Sequence, residues 1–455
     1  MNIPQTWTLA QLGNLTAQIV GGGTPSKTSA ANFNGHIPFM TVKDLKARFV
    51  SSTVDHISED ALQSSATTKV PADTLIVATR MSLGKIARPT MDVAINQDLK
   101  ALFLHSGVNK TFVEYFWRSK SQAIQSMGTG TTVKGIRLED IRTLEVPLAP
   151  EAEQKRIADK LDTVLTRVDA VNTCLARVAP LLKRFRQSVL AAATSGRLTE
   201  DWRNGSIPEV KEWSEKALSE VCRTITDGEH ISPPLVPHGV PLVSAKDVRE
   251  WGVDFSDTKF VSEEFAGASR KRCGPICGDV LVVSRGATVG RTCLVKSKEK
   301  FCLMGSVLLF QPTATLIKSE FLAHVLASPL GLEQLTKASG ATAQAAIYIR
   351  DAKGLKIRLP GIDEQTEIVH RVETLFAFAD RLQARLAQAQ TAATRLTPAL
   401  LAKAFRGELV PQDPNDEPAA ELLRRLQAQR ATGAPASKTG AGRGRGRKAA
   451  LAADL

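Results

Sequence analysis

Residues 151–198, EAEQKRIADKLDTVLTRVDAVNTCLARVAPLLKRFRQSVLAAATSGRL, place Ile157, Leu161, Val164, Val168, Val171, Leu175, Val178, Leu182, Phe185 and Val189 at alternating steps of four and three. A heptad stripe sustained this long is the mark of a coiled-coil seam. Moving each position on by 211 residues gives Ile368, Val372, Leu375, Ala379, Leu382, Leu386, Ala389, Ala393, Leu396 and Leu400, all apolar. Two stripes in register predict two long helices that pair with each other. Pro180 and Pro398 fall inside them and predict a kink or short break at each, since proline removes a backbone donor. An unbroken helix over 151–194 would be about 66 Å long at 1.5 Å per residue.

Working outward, the duplication extends through most of the chain. Glu153-Gln154 and Glu364-Gln365 open the two helices, and Gly196-Arg197-Leu198 and Gly407-Glu408-Leu409 follow them. Leu144-Glu145-Val146-Pro147-Leu148 answers Ile357-Arg358-Leu359-Pro360 just upstream. Ile37-Pro38-Phe39 through Lys43-Asp44 answers Val240-Pro241-Leu242 through Lys246-Asp247, and 73–77 answers 279–283. Each half is therefore a globular region of about 150 residues, the usual domain size, followed by a long helix. Short β-branched runs at 74–78, 280–284 and 307–310 alternate with turn residues and helical stretches at 110–125 and 319–337. This pattern predicts mixed α/β domains with twisted sheet.

Composition excludes several classes. The 455 residues are 43% hydrophobic and 23% charged, which rules out a wholly disordered chain. No apolar run reaches the ~20 residues of a membrane span, and the N-terminus lacks the pattern of a signal peptide. Six irregularly spaced cysteines form no disulfide framework, so a cytoplasmic setting is expected. The net charge is +13, of which residues 411–455 account for +3, leaving a basic body suited to a polyanion.

Catalytic signals are missing. Gly21-Gly22-Gly23-Thr24 and Gly128-Thr129-Gly130-Thr131-Thr132 lack the lysine and spacing of phosphate loops and read as tight turns. Nuclease-like traces through Asp92, Asp98 and Lys100, or Asp201, Glu209 and Lys211, are unconvincing in spacing and setting. Cys273, Cys277, Cys293 and Cys302 lack paired CxxC knuckles and read as free thiols rather than zinc ligands. The sequence predicts no catalytic, cofactor or metal residue.

Twin globular regions, each closed by a Val-Pro-Leu-like phrase, Glu-Gln, a heptad helix and Gly-(Arg/Glu)-Leu, resemble the specificity subunit of Type I restriction-modification enzymes. Trp7 and Trp213 at the domain starts, GTPS at 23–26 and AFRGEL at 404–409 add to the resemblance, which covers residues 3–410. The first helix departs slightly, ending Ala193-Thr194-Ser195-Gly196-Arg197-Leu198, and the 45-residue tail has no counterpart in that pattern. The resemblance implies a target recognition domain at 1–150, a conserved spacer helix at 151–197, a second recognition domain with a short leading linker at 198–361, and a second spacer at 362–410. The helices would form an antiparallel coiled coil, giving a pseudo-twofold molecule. Residues 411–455 are expected to be a disordered basic tail, with a short helix at 419–430 and a Gly/Arg track at 440–448.

The implied function is non-catalytic. Each domain would read one half of a gapped site in double-stranded DNA. The helices would dock two methyltransferase subunits, with restriction/translocase subunits joining through the complex. S-adenosylmethionine, ATP and Mg²⁺ would be bound by those partners. The competing reading is a protein-binding coiled-coil adaptor whose basic charge is incidental. Candidate DNA contacts are basic residues in predicted loops: Lys43, Lys46, Arg48, Arg80, Lys85, Lys134 and Arg137 in the first half. In the second they are Lys246, Arg249, Arg270, Lys271, Arg272, Arg285 and Arg291. Lys43/Lys246 and Lys85/Arg291 occupy matching places in the repeat.

Overall fold

The computed structural model describes residues 3–130, 134–205, 212–338 and 346–433. They divide into two units, Met1–Asn172 with Thr391–Leu455, and Thr173–Gln390. Three helices organise them: α1 (Glu151–Ser195), α2 (Ile362–Ala404) and α3 (Ala419–Gly433). Both α1 and α2 run on through Pro180 and Pro398, so neither expected break interrupts the helix.

In the first unit, strands Thr8–Gln11 and Glu145–Leu148 pair antiparallel and bring the two ends of the globular region together. Between them lies a five-stranded sheet in the order Thr16–Gly21, Leu99–Leu104, Leu75–Ala78, Ile86–Pro89, Phe49–Val50. A four-stranded sheet has the order Asp55–Ile57, Ile37–Met40, Val93–Ile95, Thr68–Val70. Leu75–Ala78 is central and wholly buried, which is why an unbroken apolar run, not an alternating one, encodes it.

The second unit repeats this plan. Ser214–Ala217 pairs with Lys356–Leu359. One sheet has the order Cys222–Asp227, Val307–Pro312, Val280–Val283, Thr292–Leu294, and another Lys259–Val261, Val240–Val243, Cys302–Leu303. The parallel pairing of Ile37–Met40 with Val93–Ile95 recurs between Val240–Val243 and Cys302–Leu303.

The Glu-Gln pair at the head of each long helix joins it to its domain. Trp7 Nε1 donates to Glu153 at 2.9 Å, and Trp213 Nε1 donates to Glu364 at 3.0 Å. Gln154 accepts from the Asn109 backbone N–H at 2.8 Å and donates to the Ala149 carbonyl at 2.9 Å. Gln365 accepts from the Lys318 N–H at 2.8 Å and donates to the Pro360 carbonyl at 2.9 Å. All four side chains are buried, and the second oxygen of each glutamate is satisfied by Gln412 (Glu153) or by Thr199 (Glu364).

Within the first unit, Ile157, Leu161 and Leu165 share a core with Leu401, Ala404 and Phe405, and Phe405 stacks at 5.2 Å from Phe112. In the second, Val189, Leu190 and Ala193 share a core with Ile368 and Val372, while Leu182 packs with Ala379 and Leu386. The start of α1 thus meets the end of α2, and the end of α1 meets its start. Val178 and Leu175 flank the Ala379 cluster. The seam differs from the heptad reading in detail. Val171 and Leu396 are about half exposed, at 50% and 47%, whereas Leu165, outside the stripe, is buried. Near the globular region α1 buries a second face against its own domain, so a strict four-three stripe no longer describes it.

The expectation of a disordered tail fails for residues 411–430. Gln412 donates to Glu153 at 2.6 Å, Arg156 pairs with Asp416 at 2.6 Å, and the Ala419 N–H bonds to the Thr6 carbonyl at 2.9 Å. Ala419, Leu422 and Leu426 of α3 are buried in the first unit's core. The second unit fills the equivalent place with residues 197–205, where Thr199 donates to Glu364 at 2.7 Å and Arg203 also contacts it. The Gly/Arg track, with Arg443, Arg445, Arg447 and Lys448, lies outside the described residues, as do Glu209 and Lys211.

The two units reinforce these joints differently. In the first, fully buried Glu114 accepts ion pairs from Arg48 (2.8 Å), Arg88 (2.9 Å) and Arg118 (3.1 Å). Arg48 also reaches Asp162 of α1 at 2.5 Å, and Tyr115 donates to the same carboxylate. Arg48, a candidate DNA contact, is therefore consumed inside the protein. In the second unit the place of Tyr115 is taken by His324, set edge-on to Phe376 of α2 at 6.1 Å.

Two outcomes are expected. Replacing Glu114 with Ala leaves three guanidinium groups without their shared anion and should cost about 3–5 kcal/mol, measured as a shift of the first unit's denaturant midpoint. Burial pushes the His324 imidazole down to about 4, with Lys296 assisting and Glu320 opposing. Its unfolded counterpart protonates near 6.5, so the unfolded state takes the proton first as pH falls. The contribution of the neutral ring is full above about pH 6.5 and is lost towards pH 4, about 3 kcal/mol in all. His324→Phe should remove that part of the pH dependence in denaturation curves between pH 7.5 and 4.5.

Candidate nucleic-acid interface

The structure sorts the basic candidates by what their charges already hold. Arg270 donates to the Phe301 carbonyl at 2.6 Å and to Pro275 at 3.3 Å. Arg272 donates to the Gly228 carbonyl at 2.6 Å and pairs with Asp227 and Glu229. Arg291 donates to the Val248 carbonyl at 3.2 Å, and Arg249 pairs with Asp254 at 3.5 Å. Like Arg48, these guanidinium groups are engaged by carbonyls and carboxylates of the protein itself.

Lys43 and Lys246 sit in the matching turns that follow Ile37–Met40 and Val240–Val243. Asp44 and Asp247 cap those turns, accepting from the N–H groups of Thr41 (2.7 Å) and Ser244 (2.8 Å). Each lysine faces a carboxylate, Asp55 at 3.6 Å and Asp257 at 2.7 Å. The Asp257 partner raises the Lys246 ammonium above its ordinary value. Lys46, Lys85, Lys134, Arg137, Lys271 and Arg285 are exposed, with no ion pair among the described residues. Lys271 shares an open depression of about 310 Å³ with Arg270 and Lys300.

Arg80 and Arg285 each follow the central strand of the main sheet. The backbone of Arg80 forms an antiparallel bridge with Gly135, and that of Arg285 with Ala346. The N–H of Ile136 donates to Thr79 at 3.0 Å, and the N–H of Ile347 donates to Ser284 at 2.9 Å. The next residue in each loop is left-handed: Met81 at φ 59°, Gly286 at φ 95°. A non-glycine residue there is uncommon, and Met81 is held by its N–H to the Lys134 carbonyl at 3.2 Å.

Sequence reasoning set Lys100 only in a nuclease-like trace, and that trace does not assemble. Asp92 faces Lys69 at 3.8 Å and accepts from the Ala72 N–H, while Asp98 is tied to Asn96 at 2.9 Å. Lys100 instead lies over Gly21, where an added Cβ would come within 2.2 Å of its Nζ. Burial and then Arg80 lower the Lys100 ammonium from its ordinary value, against the pull of Asp98. The lysine-arginine proximity follows from strand register, which the local sequence does not display. Cys273, Cys293 and Cys302 are buried thiols, and the described residues hold no group of three or more metal-ligating side chains. No described helix is long and apolar enough to cross a membrane.

Residues 4–178 and 210–390 match the family model of the Type I restriction modification DNA specificity domain. The chain is 33% identical over 349 residues to the Type I restriction enzyme EcoBI specificity subunit of Escherichia coli, covering 71% of this chain and 72% of that one. It is 27% identical over 455 residues to the EcoKI specificity subunit of Escherichia coli K12, covering 94% and 96%. Among solved structures, a chain from work on complex assembly and conformational transition of the type I R-M system superposes with a TM-score of 0.69. It is 20% identical and the match covers 90% of this chain and 100% of that one. The HsdS subunit from Thermoanaerobacter tengcongensis gives 0.57 at 19% identity, covering 90% and 99%. These two likenesses concern the fold, whereas the paired domain matches and the relative at 33% identity concern ancestry. With two specificity domains, each built on the same clamped plan, the chain belongs to the specificity subunits of Type I restriction-modification systems and carries two target recognition domains.

Proposed function

We propose that each recognition domain reads one half of a gapped sequence in double-stranded DNA, while the paired helices dock two methyltransferase subunits and set the gap. The observation that carries this reading is the repetition of one domain plan with different surface side chains, on two helices that meet head to tail. Two similar readers on one pair of helices suit two half-sites about one helical turn, roughly 10 bp, apart. The chain itself contributes recognition. Adenine-N6 methylation and ATP-dependent cleavage belong to the methyltransferase and restriction/translocase subunits, which would hold S-adenosylmethionine, ATP and Mg²⁺. The exposed lysines and arginines supply the salt-dependent part of the binding through the phosphates. A cytoplasmic location accords with access to the chromosome.

The direct test is a map of methylated adenines in the host genome with and without this gene. A two-part motif that disappears on deletion is expected. DNA affinity that is weak and indifferent to sequence would favour the adaptor reading instead. Inserting seven residues in register into both long helices adds about 10 Å to each, roughly three base pairs of rise. The methylated motif should then keep both halves and widen its gap by about three base pairs. A change in the bases read, with the gap unaltered, would remove the helices from the role of ruler.

A further inference from the structure

We propose that Arg80 and Arg285 are the residues that select a guanine in the two half-sites, one arginine for each. The inference rests on the proposed reading of bipartite DNA and assigns the base and the side chain that reads it. It starts from the repeat. Four pairs of basic candidates occupy matching places in the two domains, and their fates differ; in one of them, Lys46 and Arg249, the arginine is paired with Asp254 at 3.5 Å. Lys43 and Lys246 each face a carboxylate of their own domain. Lys85 has no ion pair among the described residues, but Arg291 is bonded to the Val248 carbonyl. Arg80 and Arg285 alone among these pairs keep both guanidinium groups without a hydrogen bond among the described residues. The nearest carboxylate to Arg80 is Asp98, at 4.0 Å.

Their backbones are fixed, whereas among the described residues the Arg285 side chain has no ion pair and Arg80 has only a long one, with Asp98 at 4.0 Å. Each arginine is bridged on one side, to Gly135 or Ala346, and follows a residue whose N–H is bonded, Thr79 to Asp98 at 2.8 Å and Ser284 to Ser306 at 2.9 Å. The left-handed residue after each one turns the chain away immediately. An exposed fork of donors on a fixed backbone suits bidentate bonding to guanine O6 and N7, with only the side chain left to be ordered on binding. Arg48, Arg270, Arg272 and Arg291, by contrast, are spent on carbonyls and carboxylates.

The neighbours of the two arginines differ, which lets one scaffold serve two sequences. By strand register Lys100 pairs with Val77 and Leu308 with Val282, so the cation beside Arg80 is replaced by leucine in the second domain. Gln97, which accepts from Thr24, is exposed in the first domain. The second domain presents His230, bonded to Asp227 at 3.0 Å and lying against Gly305.

The test uses chromosomal Arg80→Ala, Arg80→Lys, Arg285→Ala and Arg285→Lys alleles in the native host, with methylated-adenine mapping as readout. Wild type should methylate a two-part motif with a fixed G·C pair in each half. Arg80→Ala should relax one G·C pair in one half by about 10- to 100-fold in discrimination. Arg285→Ala should do the same in the other half only, and each Lys variant should relax the same pair less completely. An unchanged motif in the Arg variants overturns the proposal. So does uniform loss of methylation at all sites by chain that still assembles and melts as wild type, because that marks a phosphate contact, and so does relaxation of the same half by both arginines. A wild-type strain with no two-part motif would instead overturn the reading of bipartite DNA itself.

Discussion

A buried glutamate and the glutamine beside it, at the head of each long helix, hold the structure together. A helix head leaves backbone donors unsatisfied and needs neighbours that complete it. Here the glutamine side chain bonds to the residue that opens the helix at Lys110–Ser119 or Ser319–Ala327 and to the residue that follows the strand before the long helix. The glutamate adds the domain's first tryptophan and the segment that follows the other helix. Burial raises the Glu153 carboxyl, and the bonds from Trp7 and Gln412 pull it back down. Three chain segments, those of Trp7, Gln412 and the helix head itself, therefore meet at the Glu153 carboxylate, and the loss of either donor leaves a buried acceptor short of a partner.

Repetition has not made the halves equivalent. The first domain grips its helix through Arg48, Glu114, Tyr115 and Asp162, a polar lock whose parts are costly to separate. The second uses His324 against Phe376 and apolar contacts, which tolerate sliding better and respond to protonation. The duplicated plan conserves the hydrogen bonds of the Glu-Gln joint while leaving the surrounding packing free to diverge.

Much of this was legible in the sequence because it depends on periodicity. The heptads locate both helices, and the 211-residue offset aligns Glu153 with Glu364. The fully apolar runs marked the central strands. Arg48 was not legible: nothing in its neighbourhood announces Glu114 or Asp162, which come to it only through folding. Nor was the docking of the tail, because its polar composition conceals three buried positions. The spacing of Ala419, Leu422 and Leu426, at steps of three and four, was the available signal. Among the candidate contacts, charge and loop position identified basic residues, but only the hydrogen bonds separated those already engaged from those left free.

The first unit is built from both ends of the chain, and this has a consequence for synthesis. Thr173–Gln390 is continuous, so the second unit has all its parts before the ribosome finishes. The first must wait: Ile157, Leu161, Leu165 and Phe112 are made early, but Leu401, Ala404, Phe405 and Leu422, which cover them, emerge last. At typical elongation rates of 5–20 residues per second, that interval is roughly 10 to 50 s, during which an apolar face awaits its cover. The domain begun first is thus the domain completed last, and a nascent chain stalled or truncated near its end would present that face to chaperones and proteases while its second domain was already whole.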